Sequence, residues 1–199
     1  MDNVVNDYLW TKQLSVIDHT ELIKAAGMLE LVLVDQFGPM PSKPPWPYGS
    51  FTSSLYKKYN FFSFVNTASL KLFEMLKLHV TPILDPNMQY VMQSWLNIFE
   101  KDNFIDWHGH WKPEMKVFHG YYCVNVGDTI TSYRREDTKE FVYDVQNTDG
   151  LLVLGRSGED EHKSSPWNDK YPRITIAFDF IPITTIKDYS INHFIPFKC

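Results

Sequence analysis

The sequence predicts a mainly β protein, a sandwich or barrel with helices on its N-terminal side. Three observations carry that prediction. From Gln89 onward, six short runs rich in β-branched and aromatic residues follow one another within about 90 residues, each bounded by turn residues. Before that point, apolar residues recur at helical rather than alternating spacing. Composition is that of an ordinary globular chain, 44% hydrophobic and 22% charged over 199 residues, a length that one domain can fill.

In chain order, Asp18 or Thr20 is placed to cap a helix over roughly 19 to 29, with Leu22, Ala25, Ala26 and Leu29 on one side. Leu31 to Val34 reads as a strand. The Pro-rich stretch from Gly38 to Gly49 supports neither a helix nor a central strand and is expected to be a loop. Leu70, Leu72, Phe73, Leu76 and Leu78 predict a second helix over 67 to 78, covering one face of a sheet. The six strands are expected at Tyr90 to Phe99, Phe118 to Val126, Thr129 to Tyr133, Phe141 to Val145, Leu151 to Leu154 and Arg173 to Ile181. In the last of these, alternation sets Arg173, Thr175, Ala177 and Asp179 on one face, free for chemistry, and the large apolar residues on the other. No repeat or linker divides the chain, so one domain is expected.

Lys and Arg number 19 and Asp and Glu 24, a net charge of −5 with no basic block, which argues against nucleic acid as the main partner. The first residues lack a basic and apolar leader, and no run of about 18 apolar residues would span a membrane. Two cysteines, Cys123 in an apolar run and Cys199 at the end, make a poor disulfide framework, so a reducing, cytoplasmic setting is expected.

Seven histidines are the more informative feature. The segment Asp106-Trp107-His108-Gly109-His110-Trp111-Lys112-Pro113-Glu114 is the densest in metal-capable groups. In an extended segment, positions i and i+2 point the same way, so His108 and His110 can meet one cation. A chain of this composition carries a chance His-x-His pair about one time in four, so a third member is needed. Candidates are His162, His119, His193, Asp106 and Glu114. His162 lies in a polar loop after the Leu151 to Leu154 run and eleven residues before Arg173, whose donor fork suits a carboxylate. Trp107, Trp111 and Trp167 are expected to flank the candidate site, either as packing or as walls of a substrate pocket.

This order resembles the Fe(II)/2-oxoglutarate-dependent oxygenases, in the prolyl-hydroxylase-like and small phage or bacterial branches. The likeness rests on Trp95-Leu96-Asn97, the His108/His110 pair, Tyr121-Tyr122-Cys123-Val124-Asn125, the distal His162, and Arg173 with Thr175, and it covers residues 90 to 182. The resemblance implies a double-stranded β-helix of the jelly-roll or cupin type: a core over about 90–182, helical support over about 1–89 packed on one face, and a tail over 183–199. It implies Fe(II) as cofactor, 2-oxoglutarate and O₂ as cosubstrates, and hydroxylation with release of succinate and CO₂. His108, His110 and His162 take the ligand positions in this reading, and Arg173, Thr175 and Tyr122 hold the cosubstrate.

One departure from the family matters. His110 stands where the family has a carboxylate, so the usual set of two His and one carboxylate becomes three His. His110 is then a neutral ligand, or Glu114 or Asp106 reaches the metal, or iron chemistry has been lost. The first is favoured because the i, i+2 geometry needs no rearrangement. His119 is expected to be a strand histidine hydrogen-bonded in place; the alternative is a role beside the metal ligands or facing substrate. Other classes consistent with the sequence are a non-catalytic, cupin-like three-His metal protein and a β-sandwich assembly protein. A small molecule or a peptide side chain is the expected substrate.

Overall fold

The computed structural model describes residues 3–6, 9–15, 17–38, 50–186 and 193–198. Apart from Gly38, the Pro-rich stretch lies outside them. Strands β1 (Asn3–Asn6) and β2 (Leu9–Gln13) precede helix α1 (His19–Phe37), the short α2 (Phe51–Ser54) and α3 (Thr67–Val80). The β-rich part follows as β3 (Tyr90–Phe99), β4 (Phe118–Asn125), β5 (Ile130–Arg135), β6 (Phe141–Gln146), β7 (Leu151–Arg156), β8 (Asp160–Ser164) and β9 (Arg173–Pro182), with β10 (Ile195–Lys198) after it.

Helix α1 starts where Asp18 accepts the Glu21 N–H, and it buries Leu22, Ala26, Leu29 and Leu33 along one stripe. It runs eight residues past the expected end, and the strand expected over Leu31 to Val34 is its last part. The continuous apolar run hides the period. With no breaker before Gly38, helical continuation keeps Leu33 on the buried stripe and leaves Leu31 and Val32 outside. Gly38, at φ 79°, ends the helix by donating its N–H to the Val34 carbonyl. Helix α3 opens on a capping box between Asn66 and Ser69 and buries Leu72, Leu76 and Val80.

The strands form two antiparallel sheets. The larger has the order β1-β2-β7-β4-β9-β3-β10 and the smaller β6-β5-β8. The chain passes between them repeatedly. A two-way backbone bridge between His108 and His162 adds a fourth, one-residue rung beside β8. This alternation is the winding of a double-stranded β-helix. On the outer face of the larger sheet, α1 lies against β4 and α3, and Tyr122 of β4 bonds His19 at 2.7 Å. The strands β1, β2, β8 and β10 were not anticipated; β8 reads as a polar loop because every second residue, Glu161 and Lys163, is charged. Among the described residues, no helix is long and apolar enough to cross a membrane.

Strand β9 is buried along its whole length between β3 and β4. Cross-strand partners point to the same side. Arg173 faces Phe99, Thr175 faces Asn97 and Cys123, Ala177 faces Trp95 and Tyr121, and Asp179 faces Gln93 and His119. One parity therefore builds the inner face, and the other, with Ile174, Ile176, Phe178 and Phe180, builds the core beneath the helices. The close approach at Gly120 tightens this contact. A Cβ there would stand 2.3 Å from the Val153 carbonyl oxygen and 2.6 Å from the Phe178 ring. Gly120→Ala is expected to cost about 2 kcal/mol or more by overpacking, lowering the thermal midpoint by roughly 5 °C, which calorimetric melting would measure.

Candidate metal and carboxylate site

The inner faces of both sheets border one cavity of about 850 Å³. The larger sheet contributes Trp95, Asn97, Phe99, His119, Tyr121, Arg173, Thr175 and Asp179, and the smaller Thr131, His162 and Ser164. The segment 105–111 closes one side. Its backbone is held by the His108–His162 bridge and by the Ser164 N–H on the Ile105 carbonyl, while the Trp107 ring lies 4.2 Å from the Arg134 guanidinium and 4.8 Å from the Lys163 ammonium. Segments distant in sequence also meet here: Asn60 donates to the carbonyls of both Met92 and His193, tying His193 and Phe194 to the cavity edge.

Two sets of three donor groups converge among the described residues, His108, His110 and His162 in one and His110, His119 and Asp179 in the other. Within each set the ligand atoms lie within 4.8 Å of one another. His110 and His162 approach with Nε2 atoms 3.4 Å apart. The His108 Nδ1 sits 2.8 Å from the Asp106 carbonyl oxygen, to which it donates, leaving Nε2 as the lone-pair nitrogen. His119 stacks on His110 with ring centres 3.5 Å apart, and its Nδ1 donates to Asp179 at 2.7 Å; the other Asp179 oxygen accepts from the Trp111 indole, also at 2.7 Å. Burial holds His108 below the ordinary histidine range, and burial with the neighbouring imidazoles holds His162 well below it; His110, though exposed at its outer side, is also held well below it by desolvation among the rings of His119, His162 and His108. Free-base imidazoles crowded at this distance are the form a divalent cation needs. The donor set fits such a cation.

Arg173 forms the second element of the site. It is 4% exposed, it forms no ion pair among the described residues, and its Nε has no hydrogen-bond partner. Its neighbours are Tyr121, Cys123 and the Phe99 ring, so burial lowers its pKa with no carboxylate to offset the cost. Thr175, which borders the cavity, accepts from the Asn97 amide at 3.1 Å, and the Asn97 oxygen is itself unpartnered among the described residues. Beneath lies a satisfied polar layer in which Tyr121 donates to Asn147 and Asn147 donates to Thr131.

Several residues read from the sequence lie elsewhere. Tyr122 is fully buried on the helix side, bonded to His19, and Tyr121 lines the cavity in its place; one step along a strand reverses the face. Trp167 is packed against Gly127 and does not border the cavity, whereas Trp95 does. Glu114 is exposed in a short 3₁₀ turn, and Asp106 turns its carboxylate to the Trp107 N–H; both lie outside the converging sets. Asp160 was missed. It is buried two residues before His162 on β8, and desolvation raises its pKa to about 6. Its neighbourhood of Glu159 and Glu161 disguises it as part of a solvated acidic run. The neutral state of His162 has a thermodynamic consequence. Below the ordinary histidine pKa of 6.5 the unfolded chain takes up a proton that folded His162 refuses, so stability falls as pH falls. Denaturant titrations from pH 7.5 to 5 should show this decline, and His162→Gln should make it shallower by up to about 1.4 kcal/mol per pH unit.

No protein-family model matches the chain, and no curated protein matches it. Solved structures do. A prolyl hydroxylase from Trichoplax adhaerens, in complex with a hypoxia inducible factor oxygen degradation domain peptide fragment, aligns with a TM-score of 0.60 over 92% of this chain and 87% of that one, at 10% identity. A prolyl-4-hydroxylase from Pseudomonas putida aligns at 0.51 over 86% and 92%, with 14% identity. SnoK, a non-heme alpha ketoglutarate dependent carbocyclase from nogalamycin biosynthesis, aligns at 0.55 over 96% and 87%, with 11% identity. At such identities the likeness is one of fold. The chain has the double-stranded β-helix fold of these 2-oxoglutarate/Fe(II) oxygenases.

Proposed function

We propose that this protein is an Fe(II)- and 2-oxoglutarate-dependent dioxygenase that hydroxylates a small molecule or a peptide side chain, with release of succinate and CO₂. The observation that carries this reading is a buried arginine with no acidic partner among the described residues, in the same cavity as three converging imidazoles. A guanidinium so placed binds an anion, and the planar fork suits a carboxylate. His108, His110 and His162 would hold the metal. Arg173 and the Thr175 hydroxyl would receive the far carboxylate of 2-oxoglutarate, in a layer whose low dielectric strengthens the pair.

Iron and 2-oxoglutarate together supply the oxidising chemistry when bound; the protein binds, orients and excludes water. Trp95, Phe99, Trp107 and Trp111 give the cavity aromatic walls, and Asp179 fixes both Trp111 and His119 by accepting from each. A volume of about 850 Å³ leaves ample room for a substrate beside a five-carbon diacid. The absence of a carboxylate from the first converging set favours a second reading, a three-His metal-binding protein without turnover. The unpaired Arg173 favours the first.

Succinate release under Fe(II), 2-oxoglutarate and O₂ separates the two. The wild-type protein is expected to produce succinate, slowly without substrate, and Arg173→Ala and His162→Ala to lose at least nine-tenths of it, about 1.4 kcal/mol of transition-state stabilisation or more. Metal binding with neither turnover nor Fe-dependent 2-oxoglutarate binding would leave the non-catalytic reading standing.

A further inference from the structure

A second, much smaller cavity, of about 10 Å³, borders the same imidazoles. His110, His119 and His162 line it together with Tyr133, Ser157 and Asp160. That volume admits one water. Two atoms of its lining residues, the Asp160 Oδ2 and the Ser157 Oγ, are buried with no hydrogen-bond partner among the described residues. Asp160 and Ser157 are 7% and 6% exposed. Leaving a buried carboxylate or hydroxyl oxygen unpartnered is costly, and one of each on two residues that line the same chamber points to something that enters it. The buried positions of β8 are Asp160, His162 and Ser164, so Asp160 and His162 share the inward face of one strand.

Charge points the same way. Three neutral imidazoles give a divalent cation no compensating negative charge. Asp179 has both oxygens engaged, by His119 and Trp111, and Glu114 is exposed outside the converging sets. Asp160 lies outside those sets as well, so its carboxylate does not reach the donor atoms directly.

We propose that Asp160 supplies the carboxylate that the His-x-His pair lacks, acting on a divalent cation at His108, His110 and His162 across the one-water chamber, with Ser157 as the second partner of the bridging water. This rests on the metal-binding reading above and adds to it a residue that stands outside the ligand set. Asp160 is a positioning and charge-compensating residue in this scheme.

Calorimetric titration of the full chain with Co(II), paired with thermal melting of the metal-free proteins, tests the assignment. Asp160→Asn is expected to weaken Co(II) binding by roughly ten- to a hundredfold. Its metal-free form should melt no lower than wild type, because the substitution removes an uncompensated buried charge. Wild-type affinity in folded Asp160→Asn overturns the assignment and leaves the metal reading intact. A wild-type chain that binds no Co(II) overturns both. Should Asp160→Asn fold poorly, Ser157→Val keeps the carboxylate and fills the chamber; a loss of affinity is again expected, and wild-type affinity in that folded variant overturns the assignment.

Discussion

The register of β9 is the constraint on which the rest of the structure depends. The strand is buried end to end and paired on both edges, so its alternation cannot slip without exchanging the two faces of the larger sheet. One face is apolar and lies under the helices. The other carries a guanidinium, a hydroxyl and a carboxylate toward the cavity. Pairing with β3 and β4 extends that division sideways, bringing Asn97, His119 and Tyr121 to the polar side. Helices α1 and α3 hold the arrangement by burying the opposite face.

The polar side is assembled at a cost. Buried groups are normally satisfied, and the layer under Arg173 follows that rule through Tyr121, Asn147, Thr129 and Thr131. Among the described residues five side chains hold an atom that breaks it; four of them, Arg173, Asn97, Asp160 and Ser157, border the two cavities, and the fifth, Thr81, lies at the end of α3. A fold of this size tolerates few such groups. Their concentration at one place, beside imidazoles held neutral by their surroundings, is the pattern of a preorganised binding site rather than of packing error.

The likeness to solved oxygenases, at 10 to 14% identity, is one of fold. At that distance what survives is the winding of the sheets. Any chemistry of this chain rests on its own side chains, and with His110 in the converging set of His108 and His162 that set contains no carboxylate. The geometry of the site is what supports the proposed activity.

Much of the fold was legible because it is written in local pattern. Short β-rich runs bounded by turn residues marked β3 through β7 and β9 to within about two residues, and the capped stripe of Leu22, Ala26 and Leu29 marked α1. Where local cues were ambiguous, they failed: Leu31 to Val34 is apolar throughout, and β8 alternates with charges that mimic a loop. The site divides in the same way. The i, i+2 spacing brought His108 and His110 together and the spacing of His162 to Arg173 brought both to one cavity, since these follow from chain order. The choice of Tyr121 over Tyr122 and Trp95 over Trp167, and the placing of Asp160 behind the imidazoles, did not. Those depend on which face a strand turns inward and on which groups end without a partner, and both are set by pairing between strands distant in sequence.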